Sequence, residues 1–319
     1  MNFSQKISAY KTCYEIRELE LNISKKYAEG RMRCPTHLSI GQEGVPSALS
    51  LLMKKKDFVI SSHRPHAHYI SKGGNIDRML SEIYGKENGC SKGRGGSMHL
   101  IDLNVNFMGS TAIVGNSIPV GVGLALSSKI KNENRITYIF LGDAVIETGV
   151  FWESLNFSII KNLPIIFICE NNFFSVYSPL KVRQPKNRKI HSMVKAAGIN
   201  SFSGDGNIIE EVFEITNKAI KNIKKGLGPQ FLEFKTYRWL EHCGPNFDDS
   251  LNYRPKELTD RWIKKDPLRI IKKKIGKKNF SLLKKINNQI DKKINKSFYK
   301  AENSKFPNAK DFAKYVYKK

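Results

Sequence analysis

The chain is short of cysteine, of acidic residues and of long apolar runs, and each shortage excludes something. Its five cysteines in 319 residues (Cys13, Cys34, Cys90, Cys169, Cys243) form no Cys-x-x-Cys pair, which argues against a disulfide framework and against a zinc knuckle. No stretch approaches the ~20 apolar residues of a membrane-spanning helix. The first residues are interrupted by Gln5, Lys6, Lys11, Glu15, Arg17 and Glu18, so they lack the unbroken apolar core of a signal peptide. Together these absences lead to the expectation of a cytoplasmic protein in a reducing compartment.

Acidic residues number 29 against 54 Lys and Arg, a net charge of +25 that first suggests nucleic acid. Yet residues 271–319 hold 16 lysines against 3 acidic residues, more than half of the excess, and no base-reading motif accompanies them. Ile270, Ile271, Ile275, Leu282, Leu283, Ile286, Ile290 and Ile294 recur among those lysines close to helical spacing. The tail therefore reads as an amphipathic helix with a solvated lysine face, and nucleic-acid binding is the distant alternative. Hydrophobic residues at 40% supply ample material for a core.

Patterning along the chain predicts a helix within the first 35 residues and a short one over 42–53. Residues 62–68 and 85–109 read as loops. Apolar, β-branched stretches predict strands at 57–61, 135–141, 163–169, near 199–202 and at 229–237. Helices are expected between them at 119–129, 149–161, 191–197 and 208–225. Strand–helix alternation with near-continuous apolar strands implies an α/β fold, a parallel sheet covered by helices on both faces. The expected organisation is one α/β domain over 1–270 and a basic helical tail over 271–319.

In such a sheet, ligands gather at the carboxyl ends of the strands. Gly142-Asp143 closes one predicted strand and Glu170-Asn171-Asn172 closes the next. If a right-handed crossover makes these strands neighbours, Asp143 and Asn172 lie side by side. A carboxylate and an amide oxygen are hard donors suited to Mg²⁺ or Ca²⁺, and Mg²⁺ usually shares its sphere with a phosphate. The same residue types also favour helix caps and turns. Arg64 can grip phosphate bidentately, and His63, His66 and His242 can donate to it. His37, His63, His66 and His242 all fall in expected loops, where ligand-binding residues concentrate.

At this point whole stretches become familiar. Gly142-Asp143, Gly149-Val-Phe-Trp-Glu-Ser-Leu-Asn156 and Leu163-Pro-Ile-Ile-Phe-Ile-Cys-Glu-Asn-Asn172 resemble the thiamine-diphosphate motif of one enzyme family. That family is the alpha subunits of 2-oxo-acid dehydrogenase first components, of the pyruvate and acetoin dehydrogenase type. His37-Leu-Ser-Ile-Gly-Gln-Glu43, Ser62-His63-Arg64-Pro65-His66, Gly95-Gly96-Ser97-Met98-His99-Leu100, Ile113-Val114-Gly115 and Thr236-Tyr237-Arg238 with His242 are similar to the same family and follow its order. The likeness runs from about residue 10 to 268.

The resemblance implies a thiamine-diphosphate-binding fold and assigns roles by position. Asp143, the Asn172 side chain and the backbone carbonyl of Phe174 would hold Mg²⁺. Arg64 and His242 would bind the diphosphate, with His63 where the family often has Tyr. Backbone around Ala112 and Val114 would contact the aminopyrimidine, and Val176 would support the bent cofactor. His37 would face the substrate carbonyl, and His37 and His66 are the catalytic candidates. The implied reaction is decarboxylation of pyruvate or a similar 2-oxo acid, with acyl transfer to a lipoyl group on an acyltransferase. The implied assembly is two alpha and two beta chains, with activity only when beta supplies its glutamate. Three departures stand out: Ala144 replaces the third residue of Gly-Asp-Gly, where its methyl faces the diphosphate. Val145-Ile-Glu-Thr148 replaces small and amide residues, and Cys243 stands where mammalian relatives carry a phosphorylatable Ser. An acetoin-type enzyme and a degenerate, non-catalytic subunit are the alternatives these departures raise.

Overall fold

In a computed structural model, which describes residues 1–311, 313 and 314, the elements follow in the order α1 (Phe3–Tyr27), α2 (Gly44–Leu49), β1 (Phe58–Ser61), α3 (His66–Ser71) and α4 (Ile76–Ile83). Next come β2 (Phe107–Ser110), α5 (Ser117–Ile130), β3 (Thr137–Gly142), α6 (Gly149–Ile160), β4 (Ile165–Asn171) and the small antiparallel pair β5 (Phe174–Ser175) and β6 (Ser178–Pro179). The chain continues through α7 (Leu180–Arg183), α8 (Ile190–Ala196), β7 (Asn200–Asp205), α9 (Ile209–Lys224) and β8 (Gln230–Lys235). It closes with α10 (Lys256–Lys264), α11 (Pro267–Ile275) and α12 (Phe280–Asn303). No helix among the described residues is long and apolar enough to cross a membrane.

The sheet has six strands in the order β2-β1-β3-β4-β8-β7, all parallel. β4 is buried along its whole length, as its run Ile-Ile-Phe-Ile-Cys demands of a central strand sandwiched between helices. One apolar cluster joins the sheet to α1, α4 and α12, and a second joins it to α5, α6 and α8. The expected α/β class with helices on both faces is therefore what forms.

Three local differences have physical reasons. Residues 62–68 do not stay a loop: α3 begins at His66, because Pro65 fits the position before a first turn and its fixed φ starts the helix. α4 had no counterpart among the expected elements; it is capped by the Asn75 side chain, which accepts from the Asp77 and Arg78 amides. β2 hides within the expected loop 85–109, since Phe-Met-Gly-Ser is too short to show alternation.

The proposed boundary at residue 270 falls inside α11. α12 does present a lysine-rich outer face, as an amphipathic tail should. It also buries Leu283, Ile290, Ile294, Phe298 and Ala301 in the same core as the sheet. Each such large side chain contributes roughly 1.5–3 kcal/mol of transfer free energy. The tail residues 312 and 315–319 lie outside the described residues.

Candidate active site

The register of β3 and β4 sets Gly142 beside Glu170, so the two strand ends open side by side on one edge. A cavity of about 350 Å³ lies there. Asp143, Ala144, Asn172, Phe174 and Val176 line it from the β3 and β4 ends. His37, His63, Arg64 and His242 line it from the opposite side, and Ala112 and Val114 from the loop before α5. Residues spread over some 200 positions thus converge at the carboxyl ends of the strands, where the crevice of an open α/β sheet lies.

The first end is a histidine and arginine cluster. The ring centroids of His37, His63 and His242 lie 4.8–5.3 Å apart, and their nitrogens lie within 4.8 Å of one another. Arg64 is buried beside them and donates to the Leu38 and His242 carbonyls at 2.6 and 3.1 Å. No carboxylate among the described residues bonds to it. Burial, and then the neighbouring Arg238, lower its pKa to about 10. Burial first, and Arg64 next, push His37 down to about 2 and His63 and His242 down to about 3. All three imidazoles are therefore neutral at physiological pH. Three imidazoles so close suggest a cation site, but the adjacent guanidinium repels a cation and attracts an anion. His37 Nδ1 is buried with no hydrogen-bond partner, the mark of a polar atom whose partner belongs to a ligand.

The second end is acidic. Asp143 is buried, and burial raises its pKa against the opposing pull of Arg183. Arg183 in α7 donates to the Asp143 carboxylate and, at 2.5 Å, to Glu147. Asn172 is clamped: its Nδ2 donates to Gln42 Oε1 at 2.9 Å, and its Oδ1 accepts from the Phe174 amide at 3.1 Å. Asp143, the Asn172 amide oxygen and the nearby Phe174 carbonyl are then hard donors, a set suited to a divalent metal, while Glu170, which also lines the cavity, is paired with His68 at 2.9 Å.

A shell of buried groups holds these walls. Gln42 sits in the turn before α2, where Glu43 accepts from the Gly41 amide at 3.1 Å and from Arg17 Nη2 at 2.8 Å. Gly41 has φ of 96°, and a Cβ there would lie 2.4 Å from the Tyr237 carbonyl, so only glycine fits. Arg238, fully buried, donates to the Val176 carbonyl at 2.7 Å and to Tyr253 Oη at 2.7 Å. It thereby pins Val176 at φ of 53°, a left-handed conformation that a β-branched residue avoids unless its surroundings enforce it.

His66 alone among the proposed site residues does not reach the cavity. It is completely buried, 2.8 Å from Ser97 Oγ and 3.3 Å from Glu20 Oε1. Its contacts are with Glu20 of α1 and the loop of Ser97, behind the cavity wall. Three participants were not among the proposed site residues: Gln42, Arg183 and Arg238. Gln42 and Arg238 lay in quoted motifs. Arg183 carried no local signal, lying 40 residues from Asp143.

Fold and site together define a parallel α/β protein with a two-ended cavity, imidazoles and a guanidinium at one end and a buried carboxylate with amide and carbonyl oxygens at the other. The dehydrogenase E1 component family model matches residues 11–310, and the chain belongs to that family. It is 33% identical to the pyruvate dehydrogenase E1 component subunit alpha of Rickettsia bellii over 314 residues, covering 98% of this chain and 95% of that protein. It is 33% identical to the corresponding subunit of Porphyra purpurea, covering 94% and 89%. The alpha subunit of the acetoin:2,6-dichlorophenolindophenol oxidoreductase of Bacillus subtilis is 31% identical, covering 97% and 92%. Among solved structures, a Campylobacter jejuni transketolase is similar in fold, with a TM-score of 0.60 at 16% identity; the match covers 95% of this chain and 49% of that one.

Proposed function

We propose that this chain is the alpha subunit of a thiamine-diphosphate-dependent 2-oxo-acid dehydrogenase, with pyruvate the first candidate substrate and Mg²⁺ the metal. The observation that carries this reading is the single cavity with a cationic end, where Arg64 bonds carbonyl oxygens and no carboxylate among the described residues, and a hard-oxygen end. A diphosphate bridged to a divalent cation fits that division of charge. The residues present also pass a stricter test: His37 Nδ1 is a buried polar atom without a partner, and the buried Arg64 charge is met by carbonyl oxygens and no bonded carboxylate.

When bound, the cofactor supplies the electron sink for decarboxylation. The chain's own residues then bind and orient. Arg64 and His242 would hold the diphosphate, Asp143, Asn172 and the Phe174 carbonyl would hold the metal, and Val176 would support the cofactor. His63 adds a neutral donor where relatives often carry Tyr. His37, neutral because it is buried beside Arg64, faces the substrate and donates a hydrogen bond without bringing a second charge. Ala144 adds a methyl to the wall, narrowing the approach without removing a donor. No carboxylate of this chain is assigned to the cofactor's own proton transfer. That role would fall to a glutamate of a beta subunit, in an assembly of two alpha and two beta chains that would pass an acyl group to a lipoyl-bearing acyltransferase. The five cysteines are free, in keeping with a cytoplasmic location.

Calorimetric titration of thiamine diphosphate with Mg²⁺, with and without the beta protein, tests the proposal. Saturable binding that tightens with the partner is expected; no binding by the assembled pair would overturn it. The Bacillus subtilis likeness favours one second reading, acetoin as substrate. Assaying pyruvate and acetoin side by side with an artificial electron acceptor separates the two.

A further inference from the structure

Arg183 is a residue that the proposed reaction does not use, yet it pairs with Asp143 at the acidic end without itself lining the cavity. Its Nη2 donates to Asp143 Oδ2 and its Nη1 to Glu147 Oε1 at 2.5 Å. Gln184 Nε2 donates to the same Glu147 oxygen at 2.9 Å, and Arg183 Nε donates to the Ser178 carbonyl at 3.2 Å. The guanidinium is 11% exposed and the Asp143 side chain 2%, whereas Glu147 is 29% exposed. One positive charge thus serves two carboxylates, the deeper of which is the metal donor proposed above.

A guanidinium hydrogen-bonded to one carboxylate oxygen lies roughly 4–6 Å from an Mg²⁺ that the same carboxylate binds at about 2.0–2.1 Å. At that separation in a buried site the two cations repel strongly. Glu147 offers the guanidinium a second, more solvated partner. α7, which carries Arg183, follows directly on the β5–β6 pair that bears Phe174. Movement of Arg183 is therefore tied to the cavity wall.

We propose that Arg183 is an internal counter-ion that competes with the divalent cation for Asp143, and that metal loading transfers it to Glu147 and reorganises the segment 178–189. This rests on the function proposed above. It makes Arg183 a positioning residue that sets metal affinity, and Glu147 the partner that makes its release favourable.

The test uses the assembled alpha–beta enzyme and thiamine diphosphate at fixed concentration, with Mg²⁺ titrated calorimetrically. Arg183→Gln is expected to tighten apparent Mg²⁺ affinity about tenfold, the equivalent of ~1.4 kcal/mol. The metal-free variant should also melt at a lower temperature than the metal-free parent, and the metal-loaded forms should melt alike. Glu147→Gln, which removes the alternative partner, is expected to weaken Mg²⁺ affinity. Limited trypsin cleavage at Lys186 and Arg188 should change with Mg²⁺ and cofactor in the parent and change little in Arg183→Gln. Weaker Mg²⁺ affinity in Arg183→Gln would show that Arg183 orients Asp143 for the metal, and unchanged affinity would show that it is a bystander; either overturns the proposal. Failure of the parent enzyme to bind Mg²⁺ and thiamine diphosphate at all would instead overturn the proposed function.

Discussion

At the histidine end of the cavity a buried guanidinium, Arg64, bonds only to carbonyl oxygens, whereas at the carboxylate end Asp143 is matched by Arg183. Both ends bury charge, which is costly unless it is paired. One leaves the pairing to whatever enters; the other completes it within the chain. The difference teaches that an anion can enter the first end without displacing anything, and that a cation at the second end must compete.

Four substitutions or conditions probe that asymmetry. His37→Ala should reduce turnover by about 10²–10³-fold, the scale for losing one positioned donor, with cofactor affinity nearly unchanged; calorimetry beside steady-state kinetics separates the two. A large loss of affinity instead would move His37 to the cofactor side. Asp143→Asn should weaken Mg²⁺-dependent cofactor binding about 100-fold, because it removes the only carboxylate of the proposed donor set; affinity equal to the parent's would dissolve the metal end altogether. Arg64→Gln should weaken cofactor binding by about 10- to 100-fold, a charge-assisted pair's worth. Its effect should be nearly independent of Mg²⁺ concentration, unlike that of Asp143→Asn, and a matching Mg²⁺ dependence would mean the ends are not separate.

The smallest effect concerns pH. The three imidazoles have folded-state pKa values far below the unfolded value near 6.5. Below pH 6.5 the unfolded chain binds protons that the folded chain refuses, so stability falls as pH falls from about 6.5 toward 3. For the buried His37 this amounts to ~2 kcal/mol by pH 5. Urea unfolding of the metal-free protein at pH 7.5 and pH 5 measures it. His63→Tyr should flatten the acid loss; identical loss in parent and variant would mean that His63 is protonated in the folded state.

The basic tail offers a contrast in how far a sequence reaches. Helical spacing of Ile286, Ile290 and Ile294 correctly announces α12 as amphipathic, with its lysines outward. Spacing does not say what the apolar face meets, and it meets α1 and α4 in the principal core. Likewise the strand patterns at 135–141 and 163–169 mark Asp143 and Asn172 as strand-end residues, because the end of an apolar run marks the end of a buried strand, and the pairing of β3 with β4 brings both ends to one edge. They do not reveal that His66, the first residue of α3, is buried against Ser97 and Glu20 and does not line the cavity.

Donor types, their order along the chain and the alternation that builds a parallel sheet were all determined by the sequence, because side-chain chemistry and local periodicity are local properties. The tertiary structure alone decided which charges are paired. Arg183 meets Asp143 across 40 residues, and Arg64 meets no carboxylate although Glu20 and Glu170 lie near enough to influence it. Pairing depends on distances of a few ångströms between distant segments in a low-dielectric interior, where Coulomb energies are large and a small displacement changes the partner.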